Sequence, residues 1–518
     1  MKQSLIFPAV GAFIVLLMSA ISTGQQLSSD DLTSSDYEAL KICEGVIQLF
    51  EQFPDSIWPG YNLASQPFLT YMPERWALLF NYPDSVDGFK PYPPDWPSLG
   101  TSVQIHHGQY RDLIGQLGFN TAIGSDQVVA VGFQDRSVLE HFGYIVHEAF
   151  HQYQFAAFGE IPWKREELYP IENAENTALA VLEMDILMDA LKAAQANKNS
   201  QCRELVGQFL AVRNYRWANG DPYIARYEQA QELNEGTAKY VETRCVGLTS
   251  KMSYKSSLDN LTGSLHDDLK SLTAINYILD NFTERITNNS LSPEAVARYR
   301  VYPVGAALGL LLDYFGIDWK AQAQLAGDGF TFAGLLEKPV KFKTDQIQDL
   351  IKKAKAEYDY DKILESTQQL IKDYRDSYAE ASKSFESQSG YRVEVRFMAR
   401  NISRSRSSRG RKWLIDNGAW ELSSHLNVYD TKNKNLKLQY ENGSLLEYNN
   451  WQTRERAVIV FVPQIDSLYL DNSFMPINDN MPGQFTELRM TGSNFDVEIA
   501  KPGTINKTDN GLTIDVTQ

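Results

Sequence analysis

The chain is poor in cysteine, in histidine and in positive charge, and each shortage excludes something. Three cysteines (Cys43, Cys202 and Cys245) in 518 residues allow one disulfide at most. They also cannot build a four-thiolate zinc site, so any metal has to be held by histidine and carboxylate. With 49 basic against 65 acidic side chains the formal charge is −16. That balance argues against nucleic acid as a partner, because phosphates must be met by a cationic surface. Past the amino terminus the most apolar run, Val304 to Leu312, is closed by Asp313. It is far shorter than the roughly 18 residues needed to span a bilayer. What remains is an ordinary globular composition, 22% charged and 12% aromatic, in a length that suits two or three domains.

At the amino terminus Lys2 precedes an apolar stretch from Leu5 to Ala20, followed by the small residues Ser22-Thr23-Gly24. This is the layout of a cleaved secretory signal peptide over 1–24, predicting a secreted or periplasmic protein with no stable membrane insertion after cleavage. Glycosylation sequons stand at Asn260, Asn281, Asn288, Asn401, Asn442 and Asn506. Helical spacing marks 37–53, and Phe68–Tyr71 and Trp76–Phe80 flank Pro73-Glu74-Arg75 as the arms of a hairpin. Gln127–Phe133 reads as a strand. Helical signals then run from Ser137 to about 385. From Tyr391 onward apolar and polar residues alternate, and Asn-Gly pairs at 417, 442 and 510 predict hairpin turns in an all-β domain.

The feature that carries chemistry is His147-Glu148-Ala149-Phe150-His151, an HExxH sequence. Residues four apart share a helix face, so both imidazoles can ligate one zinc ion, with Glu148 placed as general base. Ser137 and Glu140 form a capping box that starts this helix. With 7 histidines in the chain, the accidental expectation of such a motif is about one in a hundred. A third ligand is expected from Glu172 or Glu175, or from Glu235 in the segment Asn234-Glu235-Gly236-Thr237-Ala238.

That last segment resembles the Asn-Glu-Gly-x-Ala sequence that supplies the zinc-binding glutamate of gluzincin metallopeptidases of the alanyl aminopeptidase type. The resemblance covers only the two short motifs. It implies Glu235 as third ligand and a zincin-like fold, with one Zn2+ per chain and a peptide or protein substrate. Asp221-Pro222 starts a helix leading to Glu235, and Gly236 is expected to let it approach the histidine helix closely. The chain has no Gly-x-Met-x-Asn segment of the kind those aminopeptidases use to grip an amino terminus. Lys239 stands where thermolysin-like relatives carry an Asp that supports a ligand histidine, leaving Glu242 as the substitute.

The expected architecture is therefore α+β. A mainly helical zincin-like unit with a small N-terminal sheet covers 25–250. A helical region, 251–388, completes the cleft, and a sandwich-like β domain occupies 389–518. The expected activity is zinc-dependent peptide hydrolysis. The alternatives are a hydrolase for a non-peptide bond, or a binding or surface protein with a structural or degenerate zinc site. Tyr302, at the start of the apolar helix, is the first choice of oxyanion donor, with Tyr240 and Tyr299 as alternatives. A substrate strand is expected to pair with an edge near Gln127–Phe133 or Phe68–Tyr71. His106-His107 reads as a surface loop, and the arginine-rich 400–412 as a solvated hairpin loop. Glu183 with Arg213 or Arg216 reads as an inter-helix ion pair.

Overall fold

The computed structural model describes residues 27–110, 118–133, 137–159, 161, 164–252, 273–286, 292–326, 330–341, 343–400, 402–408, 410–416, 418–478, 481 and 483–517. The leader segment and the sequons at Asn260, Asn288 and Asn401 lie outside the described residues, as does Asn417. The fold is α+β. Among the described residues no helix is long and apolar enough to cross a membrane. The described residues divide into two compact units, 27–166 with Asn173–Thr367, and Glu167–Glu172 with 368–517.

In the larger unit α1 (Ser34–Gln52) starts from a capping box of Thr33 and Asp36 and buries Leu40, Val46, Ile47 and Phe50. The sheet beside it has six strands: β1 (Phe68–Met72), β2 (Trp76–Phe80), β3 (Lys90–Pro91), β4 (Val103–His107), β5 (Gly118–Ile123) and β6 (Asp126–Gly132). Their order is β3-β4-β2-β1-β6-β5, with β1 and β6 parallel and the other pairs antiparallel. Pro73-Glu74-Arg75 closes the β1–β2 hairpin. The order overturns the expected substrate edge. β1 and β6 lie inside the sheet with both sides paired, and the edges are β3 and β5. His106 and His107 also depart from expectation, since they end β4 rather than forming a loop. The buried His107 ring accepts a hydrogen bond from the Leu27 backbone N–H at 3.2 Å.

Six of the helices that follow α1 matter for the candidate site. They are α2 (Val138–Ala157), α3 (Ala174–Gln195), α4 (Asn199–Asn219), α5 (Pro222–Gln231), α6 (Thr237–Thr249) and the apolar helix Val301–Tyr314. The apolar helix starts three residues earlier than its apolar run, because proline is tolerated in a first turn; Tyr302 and Pro303 are therefore helical. Its Val304, Ala306, Ala307, Leu308, Leu311 and Leu312 are fully buried. All three cysteines are free and buried.

The smaller unit is a continuous, curled sheet of thirteen strands among the described residues. Its core takes alternate residues such as Val393, Val395, Val458, Val460, Val497 and Ile514. The Asn-Gly pairs behave differently from expectation. Asn442-Gly443 runs inside the strand Leu436–Asn449, opposite a bulge in the facing strand between Ser423 and Leu426. In the last hairpin Asp509-Asn510 form the turn and Gly511 opens the final strand. The arginine-rich stretch is likewise no loop. Ser403–Ser408 and Lys412–Ile415 are strands paired with Trp420–Lys432, where Arg404 meets the buried Glu447 at 3.0 Å and Arg406 pairs with Glu421.

Candidate metal centre

The site is built on α2. Its capping box holds as expected, with Ser137 Oγ accepting from the Glu140 N–H and Glu140 accepting from the Ser137 N–H at 3.0 Å. Phe142, Ile145, Val146, Ala149 and Phe150 bury one face, and Phe150 meets Trp58 edge-on at 5.1 Å. This fixes the rotation of the helix. His147 and His151 then lie one turn apart, ring centroids 4.9 Å from each other, with Glu148 half-buried beside them.

Glu235 comes from a π-helical turn, Glu232–Gly236, inserted between α5 and α6. Such a turn carries one extra residue per hydrogen-bonded ring and re-aims its side chains, a device frequent at functional sites. Here it brings Glu235 Oε2 to 3.1 Å from His151 Nε2 and 3.4 Å from His147 Nε2. Asn234 Nδ2 donates to the other carboxylate oxygen at 3.2 Å. Gly236 does not face the histidine helix. A Cβ there would stand 2.7 Å from Gly305 Cα, so the glycine pair lets the turn rest directly on the apolar helix. The close approach of α2 to α6 is made by Gly143 instead, against the Glu242 side chain.

Both ring orientations are held from outside. Glu242 Oε2 lies 3.2 Å from His147 Nδ1, and Gln154 Oε1 lies 2.6 Å from His151 Nδ1. Glu242 is held in turn by Lys239 Nζ at 2.5 Å and by the Tyr277 hydroxyl. Gln154 donates to Asn234 O at 2.9 Å and Thr237 Oγ1 at 2.7 Å, tying α2 to the π-turn. With Nδ1 occupied in each ring, both Nε2 atoms face Glu235.

These donors fit a metal ion. The facing atoms of His147, His151 and Glu235 all lie within 4.8 Å of one another. In a tetrahedral zinc site with bonds near 2.05 Å, ligand atoms are separated by about 3.3 Å, the spacing found here between carboxylate and imidazoles. Two imidazoles and one carboxylate form a known catalytic zinc set, and the outer hydrogen bonds on both rings are those that ligand histidines require. Burial pulls the His147 pKa down, but Glu235 and Glu242 outweigh it and push it up to about 10. The same pairing holds the Glu235 carboxyl well below its ordinary range, against its own burial.

No family model, curated protein or solved structure matches the chain. What the site can do is therefore read from its own residues.

Of the other ligand candidates, Glu172 belongs to the smaller unit and accepts from Arg375 Nε at 2.7 Å, and Glu175 is exposed in the first turn of α3. Tyr302 reaches the centre, its ring stacked on His147 with centroids 5.7 Å apart and planes at 18°. Tyr240 does not, since it is fully buried and bonds Asp313 at 2.5 Å, while Tyr299 is exposed. Sequence reasoning missed Gln154 and Tyr277, and also Gly118, the first residue of the edge strand β5. A Cβ on Gly118 would stand 2.4 Å from Glu148 Cγ, so the strand backbone runs directly against the expected base. The Gly118 signal was visible as a lone glycine opening a strand; the other two carry none.

Proposed function

We propose that the chain is an exported zinc-dependent peptidase in which His147, His151 and Glu235 hold the metal and Glu148 is the general base. The observation that carries this reading is the placement of Glu235 Oε2 at 3.1 and 3.4 Å from the Nε2 atoms of two histidines four residues apart, with Glu148 on the intervening turn. A zinc ion bound by these donors supplies Lewis acidity and lowers the pKa of water to near 7. Glu148 takes the proton of the attacking water on a carboxylate oxygen and returns one to the leaving amine nitrogen. Tyr302 donates its hydroxyl to the developing oxyanion. Its burial, and then the neighbouring Glu235, raise its pKa, which keeps the phenol protonated at working pH. Glu242 and Gln154 keep both imidazoles turned inward. The edge of β5 that has no paired strand among the described residues, pressed against Glu148 at Gly118, offers backbone groups to an extended peptide.

The test is digestion of a mixed peptide library by wild type and Glu148→Gln. Cleavage by wild type, lost in the variant while zinc content is retained, supports the proposal. Stoichiometric zinc with no peptide cleaved would instead favour a hydrolase of another bond or a binding protein.

A further inference from the structure

Behind the centre lies a cluster of six fully buried charged side chains: Glu183 of α3, Arg213 and Arg216 of α4, Glu228 of α5, Glu232 of the π-turn, and Arg300 just before the apolar helix. Three acids and three bases make it formally neutral. Arg216 forks onto Glu183 at 2.7 Å and onto Glu228 at 2.6 and 2.8 Å. Arg213 bridges Glu183 at 3.0 Å and Glu232 at 3.0 Å. Arg300 binds Glu228 and lies 3.9 Å from Glu183. Asn176 and Trp217 add hydrogen bonds to Arg216 and Glu228 at 2.9 and 2.8 Å.

A buried network of this size is a poor source of stability, since desolvation offsets most of the attraction. What it provides is fixed geometry, and its two outer arms end next to the two site residues that the histidine helix does not carry. Glu232 is the first residue of the π-turn, one helical turn before Glu235. Arg300 is two residues before Tyr302. The π-turn and the start of the apolar helix meet at the Gly236–Gly305 contact, where no side chain intervenes to key them. The contact sets their separation but not their register; besides the hydrogen bond between Tyr302 and Glu235, the network is a polar structure that reaches both.

We infer that this buried charge network positions the active centre through two separable arms: Arg213–Glu232 sets the π-turn that presents Glu235 to the metal, and Arg300–Glu228 sets Tyr302 for the reaction. The inference rests on the proposed zinc site. Arg213, Glu232 and Arg300 are positioning residues; none touches the metal or the substrate.

The test compares the full chain with Glu232→Gln, with the paired Arg213→Met/Glu232→Leu variant and with Arg300→Met. A distant control is Asp36→Asn, which weakens the pair between the partly exposed Arg75 and the buried Asp36 in the first turn of α1. Tm, zinc affinity, the visible spectrum of the cobalt-substituted protein, and kcat and KM on a cleaved peptide are measured for each. Glu232→Gln and the paired variant should lose 10- to 100-fold in zinc affinity, as expected for outer partners of a ligand. They should also shift the cobalt spectrum. The paired variant, which leaves no orphaned charge, should do so with Tm close to wild type. Arg300→Met should keep zinc affinity and spectrum while kcat falls more than 10-fold at little changed KM. Asp36→Asn should lower Tm and change none of the site readouts. If Glu232→Gln and the paired variant bind zinc and colour cobalt as wild type does, or if every variant follows Tm as the control does, the inference is overturned and the zinc site stands. A wild-type chain that binds no zinc overturns both.

Discussion

At the residue scale the candidate site depends on the side chains that hold its histidines in place. His147 is an ion-paired imidazole, held from both ring nitrogens by carboxylates. In chelator-stripped protein burial lowers its pKa, but Glu235 and Glu242 raise it to about 10, and His151 is raised as well. A raised histidine contributes stability that is complete below its unfolded value near 6.5 and is lost as pH climbs through its folded value. Zinc competes with those protons. Its affinity should therefore rise with pH until His147 loses its proton near 10, with protons released on zinc binding at neutral pH. Calorimetry in buffers of different ionisation enthalpy reads this directly, and a release near zero would contradict the ion-paired state. Gly118 gives a second prediction at this scale. A methyl group at this position must displace Glu148 or the strand by about 1 Å, and such a misplacement costs on the order of 100-fold in rate. Gly118→Ala should lower kcat by roughly that factor with zinc content unchanged; full activity would show that the β5 contact does not matter.

At the scale of elements, local signals were legible and non-local ones were not. The histidine helix could be read because its capping box, its apolar face and its two histidines all fall within twenty residues. Asp221-Pro222 gave the start of α5 for the same reason, through an Asp N-cap and a proline at the first helical position. The π-turn left no mark, because an extra residue in a helical ring changes neither composition nor periodicity noticeably. Sheet order was also hidden: β1 pairs in parallel with a strand more than fifty residues on, so the open edge passed to β5. The arginine stretch was misread because its partners, Glu421 and Glu447, lie on other strands, and paired charges in strands look like a solvated loop until those partners are known. The Gly236–Gly305 contact carries a prediction here. Gly236→Ala overpacks backbone against backbone, which costs about 1–3 kcal/mol, and it should lower both Tm and zinc affinity. A variant with unchanged affinity would mean that Glu235 is not placed by this contact.

At the scale of the whole molecule, zinc would join α2 to the π-turn, segments separated by three helices in the chain. Ligand held only by the native state stabilises it, by about 4 kcal/mol when free zinc stands at a thousand times Kd. Chelation should then lower Tm by roughly 5 °C, and restored zinc should recover it. The shortage of cysteine left histidine and carboxylate as the donors available to a metal. The shape that brings them together was not anticipated, because it depends on glycine contacts and on a neutral network of buried charges drawn from five segments. The most direct measurement is zinc content per chain, by elemental analysis of wild type and Glu235→Ala purified without chelator. About one zinc per wild-type chain and little in the variant is the predicted result. Wild type without zinc, or a variant that retains it in full, would contradict the His147–His151–Glu235 site.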